Sequence, residues 1–292
     1  MSTIKILLGF AGCLYLSYAH SSENGTIQYA PGALQLNGNM PGDPGLYLLA
    51  QTSYITADHT IGNKGEKLPV DFKSEAWAET LRFIGVTPYK LLGGQYWAQV
   101  VVPYIFSLDL RADSLSAQNH GLGDMTFTNG LLWREDSRVY IFGLDVVAPT
   151  GPYKDGEFGN IGENHWSVQP TFGYYQRFDE NWDLTLGTRC IINTKNHYTD
   201  YTSGNSIDVD YGVSYRLGST RIGLAGYALE QVTDDKGPHV VDGNRTSAAA
   251  AGPAIEFSIP RVGSLSFSYQ HEFYSRNRAQ GEQFWINFGT KL

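Results

Sequence analysis

The stretch SIDVDYGVSYRL, residues 206–217, sets Ser206, Asp208, Asp210, Gly212, Ser214 and Arg216 at alternate positions, with Ile207, Val209, Tyr211, Val213, Tyr215 and Leu217 between them. Successive side chains of a strand point to opposite faces, so this ribbon has one apolar side and one polar side. It is long for a soluble domain, where strands average about five or six residues. It suits a tilted strand crossing a bilayer, which needs about nine to eleven.

The same period of two recurs. Twelve candidate strands are expected, at 46–57, 76–87, 96–109, 122–134, 138–149, 165–178, 182–194, 205–217, 220–232, 247–259, 264–274 and 283–292. Short turns at 135–137, 179–181, 218–219 and 260–263 alternate with long polar linkers at 58–75, 110–121, 150–164, 195–204 and 233–246. KLLGG at 90–94 is a glycine turn without the strand-to-helix setting of a phosphate loop. Short turns on one side and long loops on the other, with an even strand count, are the signature of an outer-membrane barrel. The expected fold is therefore an all-β, transmembrane, antiparallel up-and-down barrel of about twelve strands, with short periplasmic turns and long outer loops.

The N-terminus fits that destination. Lys5, an apolar run from Ile6 to Leu16 and small residues before a cleavage point at Ala19 read as a signal peptide over 1–19. Residues 20–45, rich in Gly and Pro, are either a plug or a flexible leader, and the barrel proper occupies 46–292. Only Cys190 remains after the leader, so no internal disulfide is available. No later segment approaches a membrane-spanning helix, which leaves a barrel open, since only alternate residues of its strands touch lipid. With 21 basic and 29 acidic residues and a net charge of -8, the chain lacks the basic surface that nucleic acid requires.

The parity of each strand sends Arg82, Asp145, Gln169, Arg177, Arg189, Asp208, Asp210, Arg216, Glu256, Gln270 and Glu272 into an aqueous lumen, as lining or binding residues. Glu79, Asn129 and Glu230 fall on the lipid face; the two glutamates are expected near the outer rim, and Asn129 has no evident reason. The six Trp sit near strand ends, Trp77, Trp166 and Trp285 toward the loops and Trp97, Trp133 and Trp182 toward the turns, as two aromatic girdles would.

Further motifs carry a resemblance. APTGPY (148–153, with Pro149, Thr150 and Gly151), GENHWSVQP (162–170, with Gly162, Asn164, Trp166 and Pro170), the NTKNHYTDY region (193–201), LEQVTDD (229–235), AGP (251–253, with Gly252 and Pro253) and RNRAQG (276–281) occur in order. With PGALQLNGNMPGDPGLYL near the start, the chain resembles the phenol meta-pathway degradation proteins, classed among outer-membrane β-barrels, over nearly all of 29–292. The resemblance implies a barrel that helps hydrophobic substrates of aromatic degradation across the outer membrane of a Gram-negative bacterium. The chain departs from general barrels in ending at Leu292 rather than an aromatic residue, although Phe284, Ile286 and Phe288 keep the alternation.

The leading functional reading is a passive channel for small, hydrophobic or aromatic molecules, with no cofactor. Its partners would be outer-membrane lipid and lipopolysaccharide, the barrel-assembly machinery and the solute itself. One alternative is a barrel-embedded lipid hydrolase built on His165 and Ser167, a His-x-Ser pair that shares one strand face, as nucleophile and base must. Against it, parity points both residues away from lipid, and Val168-Gln169 follows where Asn-Gly is usual. A structural or adhesive barrel is the other alternative. His59, His120, His165, His197 and His239 show no ligand spacing, and Asp234-Asp235 and Asp155/Glu157 read as solvated loop charge rather than a calcium site.

Overall fold

The computed structural model describes residues 27–36, 43–238, 240 and 243–292. The signal-peptide region, residues 20–26 and 37–42 of the segment read as plug or leader, and His239 lie outside them. Thirteen strands form one antiparallel sheet: β1 (Gly45–Ile61), β2 (Phe72–Leu91), β3 (Gly94–Ala112), β4 (Leu115–Leu122), β5 (Met125–Arg134), β6 (Arg138–Ala148), β7 (Ser167–Arg177), β8 (Trp182–Asn193), β9 (Ser206–Leu217), β10 (Thr220–Gln231), β11 (Ser247–Ile259), β12 (Gly263–Arg276) and β13 (Arg278–Lys291). Apart from β4 and β5, which both pair with β3, each pairs with its neighbours in sequence, and β13 returns to β1 from Tyr47↔Lys291 to Ile61↔Arg278, which closes the sheet.

The barrel has twelve staves, because β4 and β5 are one stave with a break. Both pair with β3, β5 up to Val101↔Thr126 and β4 from Tyr104↔Leu122. Across the break, the Gly123 amide donates to the Pro103 carbonyl at 2.9 Å. Prolines inside the wall coincide with gaps in the ladder. Pairing of β7 with β8 skips from Val168↔Ile192 to Thr171↔Arg189 around Pro170, and that of β11 with β12 skips from Ala251↔His271 to Ala254↔Ser268 around Pro253. Proline has no amide hydrogen to give, so the barrel takes it where a bond is already missing.

Burial is inverted relative to a soluble sheet. In β9 Asp208, Asp210 and Ser214 are buried while Ile207, Val213 and Leu217 are exposed, and the same exchange holds in β12 between Ser266, Ser268, Gln270 and Glu272 and the exposed Phe267 and Phe273. A barrel standing in lipid requires this arrangement, apolar outside and polar within. Polar groups on the outer face pair with each other. Glu79 accepts the Thr52 hydroxyl, Glu230 lies 3.7 Å from Arg276, and Asn129 accepts the Tyr96 hydroxyl, which is the partner the sequence did not suggest.

Three expectations need correction. The wall runs higher than the period-two pattern: 110–121 is mostly the β3–β4 hairpin, turned at Asp113 with φ 51°, and β12 joins β13 through Asn277 alone, with φ 53°. Above the lipid both faces of a strand meet water, so alternation fades although pairing continues. Two of the six tryptophans, Trp97 and Trp285, are 4% and 3% exposed and face the lumen, whereas Trp77 and Trp166 are each 51% exposed and face outward. Trp97 shares parity with Gln99 and Trp285 with Gln283, and parity rather than nearness to a strand end sets the face. The turn at KLLGG is as expected, with Leu92 and Gly93 at φ 51° and 76°, the geometry of a two-residue hairpin.

Candidate functional site

Residues 27–36 run inside the barrel, from the loop end to the level of mid-wall. At the top, the Gln28 side-chain amide donates to Asp124 Oδ2 at 3.1 Å and to the His165 carbonyl at 2.8 Å. In the middle, Asp210 accepts the Tyr29 hydroxyl at 2.6 Å and the Gly32 and Leu34 amides at 2.6 and 3.1 Å. Gln270 donates to the Gly32 carbonyl and Gln51 to the Ala33 carbonyl, each at 2.9 Å. Lower down Leu36 is buried against Ala225 and Ala254.

The wall is shaped for this segment. A Cβ on Gly212, at an inward position of β9, would lie 2.4 Å from the Gln35 carbonyl oxygen. Gly32 has φ 85° and no room for a side chain against Gln270 and Tyr227. Both positions require glycine, one for close approach and one for backbone conformation.

Two cavities flank the segment. The one toward the loops holds about 450 Å³ and is walled by small or apolar inward residues of β2 and β3, among them Ala76, Ala78, Val101 and Pro103. The one toward the turns holds about 550 Å³ and is lined by Arg216, Arg221, Asp208, Asp210, Glu256 and Lys291. Tyr29, Ala33, Arg82, Gln99, Asp145 and Arg189 line both, so the cavities adjoin at their level.

Charges in this constriction and below it are held in a network. Arg189 contacts Asp145 at 3.0 Å and Gln169 at 2.9 Å, and its guanidinium lies 3.7 Å above the centre of the Tyr29 ring. Arg216 meets Asp183 at 2.7 Å, and Arg221 meets Glu256 at 2.5 Å. Near the loops Arg278 meets Glu272 at 3.1 Å. Lumenal ions paired this way avoid most of the penalty of isolated buried charge.

Of the lining residues expected from parity, Arg82, Asp145, Arg189, Asp208, Asp210, Arg216, Glu256 and Glu272 border a cavity. Gln169 and Gln270 are buried, bonded to Arg189 and to the segment respectively. Arg177 keeps the inward register opposite Asp183 but sits exposed at the turn end. Asp183, Arg221 and Arg278 complete ion pairs that the sequence pattern does not single out, the last because it lies between two expected strands. Tyr29 and Gln28 were hidden in a segment without periodicity.

The motif residues near 150–166 are architectural. Thr150 accepts from the Met125 amide at 2.9 Å and donates to the Gly123 carbonyl at 3.0 Å, bridging the break in the fourth stave. Asp124 accepts the amides of Gly151 at 2.9 Å and Glu163 at 3.0 Å, and Gly151 and Gly162 stack backbone to backbone. Asn164, at φ 55°, donates to Asn196 at 2.8 Å. One carboxylate thus ties this loop to the N-terminal segment through Gln28.

His165 and Ser167 each bond elsewhere. Ser167 is 0% exposed and its hydroxyl accepts from Gln169 at 3.0 Å, while His165 Nδ1 lies 3.2 Å from the Trp166 carbonyl; no hydrogen bond joins the two side chains. Among the described residues no three His, Cys, Asp or Glu gather as metal ligands.

The family model described as "Putative MetA-pathway of phenol degradation" matches residues 57–288. Among solved structures, an outer membrane channel from Pseudomonas putida F1 is similar with a TM-score of 0.77 and 17% identity, over 91% of this chain and 100% of that one. The beta domain of the Bordetella autotransporter Brka is similar with a TM-score of 0.50 and 11% identity, over 86% of this chain and 100% of that one. No curated protein matches the chain. At such identities the likeness speaks for the barrel fold.

Proposed function

This chain belongs to the family described as "Putative MetA-pathway of phenol degradation", and from that footing we propose that it is an outer-membrane channel for small hydrophobic or aromatic compounds in a Gram-negative bacterium. The single observation that carries this reading is the pair of adjoining cavities along the bore, one with an apolar stretch of wall on β2 and β3, meeting beside Tyr29. A barrel whose interior served only for stability would be filled by side chains. The Pseudomonas putida protein of the same fold is itself described as an outer membrane channel, which supports the assignment.

In this reading the loops face the exterior, the turns face the periplasm, and residues 27–36 act as a plug that narrows the bore without sealing it. Lipid and lipopolysaccharide surround the apolar belt, and the barrel-assembly machinery inserts it. We read the chemistry as passage rather than catalysis; the buried Ser167 hydroxyl is bonded to Gln169 rather than to His165.

Reconstitution into a planar bilayer tests the channel. Discrete conductance steps are expected, and a bilayer that stays silent at every salt concentration overturns the reading. The solute class is tested by uptake in porin-deficient cells expressing the protein. A single-ring aromatic compound is expected to enter faster than a sugar of equal volume, and the opposite order rejects that class.

A further inference from the structure

Four lumenal arginines have carboxylate partners at 3.1 Å or less: Arg189 with Asp145, Arg216 with Asp183, Arg221 with Glu256 and Arg278 with Glu272. Arg82 differs. Its guanidinium bonds only to neutral amide oxygens, to Gln99 through Nε at 3.3 Å and Nη2 at 3.1 Å and to Gln51 through Nη1 at 3.4 Å. Among the described residues no carboxylate comes within ion-pair distance of it.

The arms that hold Arg82 are themselves fixed. Gln99 donates to Thr128 at 3.0 Å, and Thr128 in turn donates to Asp145 at 2.6 Å. Gln51 is anchored to the Ala33 carbonyl of the inserted segment. The guanidinium is therefore oriented in advance, which lowers the ordering cost of any ligand it takes. A guanidinium has five N–H groups, and the bonds to Gln99 and Gln51 occupy three of them. One remains on each terminal nitrogen, at the spacing of the two oxygens of a carboxylate.

Position supplies the rest of the ligand. Arg82 lies at the constriction and borders both cavities, with Ala76, Ala78, Val101 and Pro103 on the loop-end side. A molecule seated there would place its anionic end on Arg82 and its body against an apolar wall. The loop-end cavity of about 450 Å³ is in the range of small-molecule sites.

We infer that Arg82 anchors a binding subsite in the constriction for small organic carboxylates with an apolar body, a single-ring aromatic acid being the simplest. This deepens the channel reading and rests on it for its biological meaning: the solutes would include the acids as well as the neutral members of the aromatic class. A carboxylate arriving at Arg82 supplies the countercharge that this arginine lacks, then leaves into a cavity where Arg216 and Arg221 are already paired with Asp183 and Glu256.

The test is equilibrium binding to the purified full-length mature protein in detergent, read by titration calorimetry with benzoate, benzamide and acetate. Benzoate is expected to bind about tenfold more tightly than either, since charge-assisted hydrogen bonds exceed neutral ones by that order and acetate lacks the ring. Arg82→Gln should reduce benzoate affinity about tenfold, with Arg82→Lys in between. Equal affinity for benzoate and benzamide in the unaltered protein overturns the subsite, and that comparison needs no variant to fold. Unchanged benzoate binding in Arg82→Gln also overturns it, as does displacement of benzoate by an equal concentration of chloride. Because binding is read without transport, the two proposals fail separately. Selective benzoate binding in a protein that gives no conductance sinks the channel alone, and conductance without selective binding sinks the subsite alone.

Discussion

The two cavities differ little in volume and greatly in chemistry, and the difference runs around the barrel as much as along it. Inward positions of β2 and β3 carry Ala76, Ala78, Thr80, Val101 and Pro103, whereas those of β8 to β11 carry Arg189, Asp208, Asp210, Arg221 and Glu256. The inserted segment leans on the charged side, through Asp210 on β9, Thr185 on β8, and Ser266 and Gln270 on β12. What stays open is mainly the side with small apolar residues. Asp210 and its polar neighbours hold the segment in place, and the small residues opposite, with Arg82 below them, leave the path.

The strongest way to break that contrast is to remove the segment. Deleting residues 27–36 should merge the cavities and raise single-channel conductance several-fold, and it should erase any preference for aromatic solutes. Conductance equal to that of the intact protein would mean that the path does not pass the segment. A milder version keeps the segment and takes away its seat. In Gly212→Val the new side chain meets the Gln35 carbonyl, since even a Cβ would lie at 2.4 Å. Overpacking of this kind costs about 1–3 kcal/mol. The segment is held by hydrogen bonds and the barrel by a closed ladder, so the segment should yield, with conductance that flickers between the intact level and that of the deletion.

The contrast is sharpened from the charged side by Glu256→Gln. Arg221 is buried and donates twice to Glu256, at 3.0 and 2.5 Å, but it also lies 3.8 Å from Asp183. The loss should be about 1–3 kcal/mol, less than for a wholly stranded buried charge. It should appear as a lower temperature for the heat-induced gel-mobility shift of the folded barrel. An excess positive charge in the turn-end cavity should also move ion selectivity toward anions, while aromatic uptake, governed by the other wall, should hardly change.

How much of this was written in the sequence depends on which solvent each residue meets. Where lipid touches one face, as along β9 and β12, alternation is strict and both the strand and its lumenal residues could be read. Where water touches both faces, as at Leu115–Leu122 and around Asn277, the strand persists without its pattern, and period two alone predicts a loop. The inserted segment has no periodicity at all. Its seat could have been suspected only from Gly212, an inward position left empty in an otherwise well-filled strand. Arg82 was legible as lumenal, but its lack of a countercharge depends on where β1, β2 and β3 place Gln51 and Gln99, which no local pattern contains.

The smallest expected effect belongs to Ser167→Ala. The Ser167 hydroxyl accepts one hydrogen bond, from Gln169 at 3.0 Å, and Gln169 stays oriented by Arg189 through its other side-chain atom at 2.9 Å. Removing the hydroxyl should cost about 0.5–1.5 kcal/mol of stability. Conductance, solute preference and benzoate binding should be unchanged, because Ser167 borders neither cavity and the network of Arg189 and Asp145 survives. A hydrolase would respond in the opposite way, since a nucleophile cannot be replaced by a methyl group. Phospholipid hydrolysis by the purified protein that vanishes in Ser167→Ala would therefore assign the lumen to catalysis, and His165 would have to turn toward Ser167 from its present place beside the Trp166 carbonyl.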